Sequence, residues 1–278
     1  MNTSLRSACV IGWPVKHSRS PLIHEYWIRQ HGIAGTYKRE EVMPDAFEDF
    51  VRTLGERGYY GANVTLPHKE AALALSAPDD RARAVGAANT LWLDNGTLRS
   101  TNTDVEGFTA NLDASVPGWD AHLGEVVVLG AGGAARAILC GLIERGFRHI
   151  HVVNRTLARA EALRARFGEA VQPAHWSAVP HLLTRATMLI NATTLGMAGQ
   201  PPLDIDVSPL HRDTVVADIV YVPLMTPLLA AARARGLATA DGLGMLLHQA
   251  VRGFSLWFSV RPEVTPELRA LVEADIGR

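Results

Sequence analysis

The sequence predicts two α/β domains, and three observations carry that prediction. Strand-like and helix-like segments alternate along the first hundred residues and again between residues 125 and 236. A glycine-rich turn, Gly130 to Ala135, follows a fully apolar run and opens a helix-like one. The length, 278 residues, exceeds the usual size of a single domain, about 150 residues, by nearly a factor of two.

In chain order, residues 7–13 read as a short buried strand, and 21–32 as a helix closing on Gly32. Residues 36–42 are a further strand candidate. Pro44 opens a helix that ends at Gly55. Residues 59–67 are strand-like and stop at Pro67, with a helix expected to begin near His68. Within 89–104, Asn95-Gly96 stands between two strand-like runs and predicts a hairpin. This first part suggests a parallel α/β unit. Residues 125–130, 149–154, 187–193 and 214–221 then read as strands, and 133–146, 156–168 and 226–236 as helices, a Rossmann-type series. After Asp241-Gly242 comes a long apolar helix and a shorter one at 265–276, both expected to fold back on the first domain. The expected domains are therefore 1–104 with 241–278, for substrate, and 105–240, for a dinucleotide.

Composition removes several function classes. Basic and acidic residues number 27 and 28, and the formal net charge is -1, so no basic excess points to nucleic acid. No run of 18 uncharged apolar residues predicts a membrane span, and no signal peptide is expected. Cys9 and Cys140, the two cysteines, lie far apart in apolar segments and read as buried thiols of a cytoplasmic protein. His149 and His151 share a strand face without a carboxylate or cysteine partner nearby, so no metal site is expected. Trp27 and Trp257 read as core residues.

The turn Gly130-Ala131-Gly132-Gly133-Ala134-Ala135 matches the dinucleotide fingerprint in its required strand–helix context. Gly130 permits the tight turn, and Gly132 leaves the pyrophosphate room to approach. Ala135 lets the helix pack closely. The helix N-terminus offers unpaired N–H groups to the phosphates. At the end of the next strand an NAD enzyme usually carries an acid for the ribose 2′-hydroxyl. This chain has Asn154-Arg155-Thr156, with Arg159 one turn on, and no carboxylate to repel a 2′-phosphate. Each charge-assisted hydrogen bond there is worth about 1.5–3 kcal/mol, so NADP is the expected cofactor. Arg164 and Arg166 read as solvated residues of the same helix.

Three polar clusters occupy loop positions of the first domain: Ser18 with Ser20, Asn63 to Lys69, and Asn102-Thr103-Asp104 preceded by Asn89-Thr90. Hydroxyls and amides of this kind suit a hydroxylated, anionic substrate. Reduction of a ketone by hydride leaves an alkoxide that needs a proton, and Lys69 is the natural donor with Asp104 to orient it. Only three of the 27 basic residues are lysine, and arginine is a poor proton donor. Lys69 also reads as a surface charge at a helix start, His68 as a helix-start residue, and Ser20 as a helix N-cap.

The strings GWPVKHSRSP, NVTLPHKE, AANT, NTDVEGF, VLGAGGAAR, NRT, INATTLGM, DIVY, TPLL and ADGLGMLLHQA run in order from residue 12 to about 250. Together they resemble the shikimate dehydrogenases of the shikimate/quinate dehydrogenase family. The resemblance implies reversible, NADPH-dependent reduction of 3-dehydroshikimate to shikimate, a step of chorismate and aromatic amino-acid synthesis. It implies Lys69 and Asp104 as the catalytic pair and Ser18 and Ser20 as ligands of the substrate carboxylate. Asn63, Thr65, Asn89, Tyr221 and Gln249 are implied as further substrate contacts. Thr193, Ile219, Gly242 and Met245 are implied beside the cofactor, with the Gly130–Ala134 turn. The family includes monomers and homodimers. Val105 and Glu106, Thr194 and Val222 depart from its commoner residues. Two rival readings are a quinate or quinate/shikimate dehydrogenase using NAD(P), and a non-catalytic NADP-binding regulator. Serine at Ser20 and the missing acid at Asn154 oppose the first. The presence of Lys69 and Asp104 opposes the second.

Overall fold

The computed structural model describes residues 5–277. In order, the chain forms β1 (Arg6–Gly12), α1 (Ser20–Gln30), β2 (Gly35–Glu41), α2 (Phe47–Arg52), β3 (Tyr59–Val64), α3 (Lys69–Ala74), β4 (Ala77–Pro78), α4 (Asp80–Val85), β5 (Thr90–Asp94), β6 (Thr97–Thr101) and α5 (Asp104–Ser115). There follow β7 (Glu125–Leu129), α6 (Gly133–Glu144), β8 (Ile150–Asn154), α7 (Leu157–Phe167), β9 (Val171–His175), α8 (Val179–Leu183), β10 (Ala186–Asn191), β11 (Val215–Asp218), α9 (Pro227–Ala234), β12 (Ala238–Ala240), α10 (Gly242–Phe258) and α11 (Pro266–Ile276).

The chain divides into two compact units: residues through Thr103 together with Gln249–Asp275, and Asp104–His248. The first is built on a six-stranded sheet ordered β2-β1-β3-β5-β6-β4. β1 runs parallel to β2 and β3, but β5 is antiparallel to both β3 and β6. The sheet is therefore mixed rather than parallel. Asn95 and Gly96 adopt φ of 50° and 81°, the left-handed pair of a two-residue hairpin turn, which sets β5 and β6 antiparallel. Cys9, Ile11, Phe47, Leu54, Val64 and Leu91 fill its core.

The second unit has a six-stranded sheet ordered β12-β11-β10-β7-β8-β9, parallel throughout. This is the doubly wound dinucleotide-binding order. Both faces are covered: Val126, Val128, Ile138 and Leu142 fill one side, and Val127, Leu129, Leu189 and Leu229 the other. That explains why its strands read as continuous apolar runs. The two edge strands, β9 and β12, escaped the sequence pattern. β9 carries Pro173, tolerated only at an edge or bulge, and β12 is three residues long.

The joint between the units differs from the expected 240/241 and runs inside α10. The start of that helix is seated in the second unit. A Cβ on Gly242 would come within 2.2 Å of the Ile219 carbonyl oxygen, and one on Gly244 within 1.7 Å of Asn111 Oδ1. Asn111 Nδ2 donates to the Asp241 carbonyl at 2.7 Å. The helix's last turns pack on the first unit, where Trp257 Nε1 donates to the Leu91 carbonyl at 2.9 Å. Trp27 Nε1 donates to the Glu263 carbonyl at 3.0 Å, and Arg19 pairs with Asp275 at 2.9 Å. The C-terminal helices thus fold back on the first unit, as expected. Trp27 and Trp257 are buried core residues, and Cys9 and Cys140 are buried thiols outside any disulfide. Among the described residues no helix is long and apolar enough to cross a membrane.

Candidate active site

The loop after β1 carries Ser18 and Ser20. The Ser20 amide donates to Ser18 Oγ at 3.3 Å, and Ser18 Oγ donates to Ser20 Oγ at 3.2 Å. Ser20 is therefore not the N-cap of α1, a position held by Arg19 without a side-chain cap. Arg39 on β2 holds the loop by donating Nε and Nη2 to the Ser18 carbonyl at 3.0 and 2.7 Å.

From these serines a buried polar chain crosses the sheet. Tyr37 on β2 donates its hydroxyl to Asn63 Oδ1 at 2.6 Å. Burial pushes the Tyr37 phenol well up, with Cys9 adding to the shift and the Ser20 hydroxyl opposing it, so the group stays a neutral donor. Asn63 Nδ2 donates to Thr90 Oγ1 at 3.2 Å and to the Asn89 carbonyl at 3.3 Å. Asn89 Oδ1 accepts from the Thr103 amide at 2.8 Å and from Thr90 Oγ1 at 3.1 Å. Thr103 Oγ1 lies 3.2 Å from Asn89 Oδ1 and 3.4 Å from Gln249 Oε1 on α10. Ser18, Ser20, Asn63, Asn89 and Gln249, scattered over 232 positions of sequence, thus belong to one array. Tyr37, Thr90 and Thr103 complete it. Sequence reading gave Tyr37 no role, and a tyrosine in a strand carries no signal of one.

The neighbouring loop, after β3, is laced to the serine loop. Trp13 N donates to the Leu66 carbonyl at 3.0 Å, and Thr65 N to the Ile11 carbonyl at 2.9 Å. Gly12 is required at this crossing, since a Cβ there would lie 2.5 Å from the Thr65 methyl. Lys69, half-buried, is the first residue of α3, and its carbonyl accepts from the Ala88 amide at 2.9 Å, next to Asn89. His68 does not cap α3 with its side chain. Its ring stacks on Phe47 with centroids 4.3 Å apart, and Nε2 contacts the Val42 carbonyl at 2.7 Å. Asp104 does not lie in a loop. It is the first residue of α5 and belongs, with Tyr221, to the second unit.

In the second unit, Gly130 has φ of 100°, and a Cβ there would lie 2.8 Å from the Thr193 methyl. Only glycine suits the conformation and the close approach. A Cβ on Gly132 or Gly133 would meet nothing within 4 Å, so open space stands over the turn at the start of the twelve-residue helix α6. A cavity there is lined by Gly130, Ala131, Gly132, Asn154, Arg155, Arg159 and Thr193. Asn154 Nδ2 donates to the Thr156 carbonyl at 2.8 Å, shaping the bend that presents Arg155 and Arg159 at the exposed start of α7. Thr156 stands at the N-cap of α7 but makes no side-chain cap bond. The fit for a phosphorylated dinucleotide is good: an unobstructed glycine turn, a helix N-terminus and two guanidinium groups on one cavity.

Thr193 is positioned by groups that sequence reading missed. Asn191 Oδ1 accepts from the Thr193 hydroxyl at 2.7 Å and its amide at 3.1 Å. Asn191 Nδ2 donates to Asp218 at 2.9 Å, and Asp218 also accepts from Thr226 Oγ1 at 2.7 Å and Val220 N at 3.0 Å. Burial raises the Asp218 pKa against these three hydrogen bonds. The Ile219 amide donates to the Asn191 carbonyl at 3.1 Å, and Met245 packs at the edge of the same core.

One reading needs correction. His151 does have a carboxylate partner, Glu125 on the adjacent strand at 3.0 Å, which also pairs with Arg185 at 3.3 Å. The strand register brings them together across 26 residues. No cluster suited to a metal occurs among the described residues. Arg164 and Arg166 are exposed, as expected; Arg164 pairs with Glu169, and Arg166 borders a cavity. Val105, beside the site in sequence, is buried and packs against the position of Gly141.

A doubly wound sheet ending in an open glycine turn, joined to a unit that carries a hydroxyl- and amide-rich array, defines a two-domain dinucleotide-dependent α/β oxidoreductase. Three family patterns match the chain: "Shikimate dehydrogenase substrate binding domain" at residues 10–91, "Shikimate / quinate 5-dehydrogenase" at 116–198, and "Shikimate 5'-dehydrogenase C-terminal domain" at 242–271. The chain is 65% identical over 274 residues to a protein of Nitrobacter hamburgensis named shikimate dehydrogenase (NADP(+)), covering 99% of this chain and 96% of that one. Shikimate 5-dehydrogenase from Thermus thermophilus, solved with NADP(H) and shikimate, superposes with a TM-score of 0.84 at 33% identity, over 99% of each chain. Quinate dehydrogenase from Corynebacterium glutamicum, solved with NAD, superposes with a TM-score of 0.90 at 32% identity, over 98% of this chain and 100% of that one. The chain belongs to the shikimate/quinate dehydrogenase family.

Proposed function

We propose that this protein catalyses the reversible, NADPH-dependent reduction of 3-dehydroshikimate to shikimate in the pathway to chorismate and the aromatic amino acids. The observation that carries the reading is the buried array from Tyr37 to Gln249, which gathers hydroxyl and amide groups next to the segment that holds Lys69, with Ser18 and Ser20 paired on the loop after β1. Ser18 and Ser20 bind the substrate carboxylate; Asn63, Thr65, Asn89, Tyr221 and Gln249 contact the ring hydroxyls. The turn Gly130–Ala134 holds the cofactor pyrophosphate, with Asn154, Arg155, Thr156 and Arg159 on the ribose 2′-phosphate. Thr193, Ile219, Gly242 and Met245 flank the nicotinamide.

NADPH, when bound, supplies hydride to the ketone carbon. The alkoxide oxygen so formed takes a proton from the Lys69 ammonium, and Asp104 orients that ammonium and balances its charge. In the oxidative direction Lys69 accepts the same proton. The preference for NADP over NAD follows from Asn154: the end of β8 has no carboxylate to hold a bare 2′-hydroxyl or to repel a phosphate. The two buried thiols, not joined in a disulfide, agree with a cytoplasmic enzyme, and we assign it there as a monomer or homodimer.

Loss of NADPH absorbance on adding 3-dehydroshikimate tests the assignment. Faster turnover of quinate with NAD+ than of shikimate with NADP+ would move the protein to the quinate branch of the family. Lys69→Ala is expected to lower kcat about a hundredfold or more with little change in shikimate binding. Lys69→Arg should not restore it, because arginine does not release its proton. Near-normal kcat in either variant would remove Lys69 from the mechanism.

A further inference from the structure

A second cavity adjoins the glycine turn. Ala131, Gly132 and Gly133 form its floor, and Arg136, Arg159 and Arg166 supply its charge. It shares Ala131, Gly132 and Arg159 with the cavity that Asn154 and Arg155 line, so Arg159 stands where the two meet. Arg136 lies in the first turn of α6, which contains no acidic residue, and the first turn of α7 contains none either. Arg159, Leu163 and Arg166 are spaced four and then three residues apart, which places them on one face of α7, and all three line the cavity. The two helices therefore bring three arginines to one cavity. A phosphate monoester, carrying about −1.5 to −2 charges near neutral pH, is held by guanidinium groups through charge-assisted hydrogen bonds.

We propose that Arg136 and Arg166 are specificity-determining residues that bind the ribose 2′-phosphate of NADP together with Arg155 and Arg159. The inference rests on the placement of the dinucleotide at the Gly130 turn. It extends the phosphate subsite from the bend after β8 to the facing surfaces of α6 and α7. The charge that discriminates NADP from NAD is then spread over four arginines, two of them outside the Asn154–Arg159 segment.

The test uses the full-length enzyme and the double variant Arg136→Gln/Arg166→Gln. The ratio of kcat/KM for NADP+ to that for NAD+ should fall by about tenfold or more, the effect of losing charge-assisted hydrogen bonds to one ligand only. Affinity for 2′,5′-ADP should fall in parallel, and affinity for 5′-AMP should not. The ratio is read on one preparation, so a smaller folded fraction does not move it. An unchanged ratio, or equal loss with both cofactors, overturns the inference. Arg155→Ala separates the two levels. If it weakens 2′,5′-ADP and the double variant does not, only this inference fails. If neither variant affects 2′,5′-ADP, the placement of the cofactor fails with it.

Discussion

His24 stands beside the buried polar array, stacked on Tyr37 with ring centroids 4.1 Å apart and edge-on to Trp27 at 5.8 Å. Both of its ring nitrogens are buried without a hydrogen-bond partner of good geometry. Burial holds the imidazole neutral and pushes its pKa down to about 3, with Asn63 opposing the shift. The folded state thus binds this proton less readily than the unfolded chain, whose histidine titrates near 6.5. Stability is intact above that value and is lost as pH falls toward 3, by at most about 1.4 kcal/mol per pH unit. His24→Phe keeps the stacked ring and removes the orphaned nitrogens. Its melting temperature should exceed that of the parent protein at pH 4–5, with a smaller gap at pH 8. Melting curves that fall in parallel over that range would mean that His24 does not govern acid sensitivity. Of all this, sequence showed only a histidine within a predicted helix. What surrounds it comes from Tyr37 and Trp257, which no local pattern connects to it.

At the scale of elements, α10 is secured at both ends by glycines rather than by propensity. On the side of the first unit, a Cβ at Gly61 of β3 would lie 2.1 Å from Trp257 Nε1 and 2.3 Å from the Leu91 carbonyl. That is the hydrogen bond by which the helix docks. Gly61→Ala must therefore push Trp257 away from the sheet. Overpacking of this kind costs about 1–3 kcal/mol, so denaturant midpoints should drop by a corresponding amount. Gln249 lies on the same helix, and KM for shikimate should rise. An unchanged midpoint and KM would show that the helix adjusts freely. The helix itself was legible as an apolar run after Asp241-Gly242, and the hairpin as Asn95-Gly96. Both signals are local, a periodicity and a pair of residues tolerant of positive φ. The seats of α10 and the edge strands β9 and β12 were not legible. They depend on which backbone lies opposite a glycine or on how few residues pair.

For the whole molecule, the division into units predicts separable ligand footprints. In hydrogen exchange, shikimate should protect amides most strongly in residues 15–21, 61–70, 87–103 and 249–253. The fragment 2′,5′-ADP should protect 129–136 and 154–166. Shikimate protection concentrated in 129–166 would contradict the assignment of the substrate array. By itself the sequence determined the α/β class, the glycine turn, the arginines that follow β8 and the hydroxyl and amide residues of the polar clusters. Each of these is written in short stretches, as hydrophobic period, turn chemistry or motif. Only the tertiary structure decided that the first sheet is mixed and that one helix serves both units. It alone joined Tyr37, Thr90 and Thr103 to the array and set Arg136 and Arg166 on one cavity. These outcomes depend on strand register and helix packing across tens to hundreds of residues, where burial and steric fit select partners that neighbouring residues do not specify.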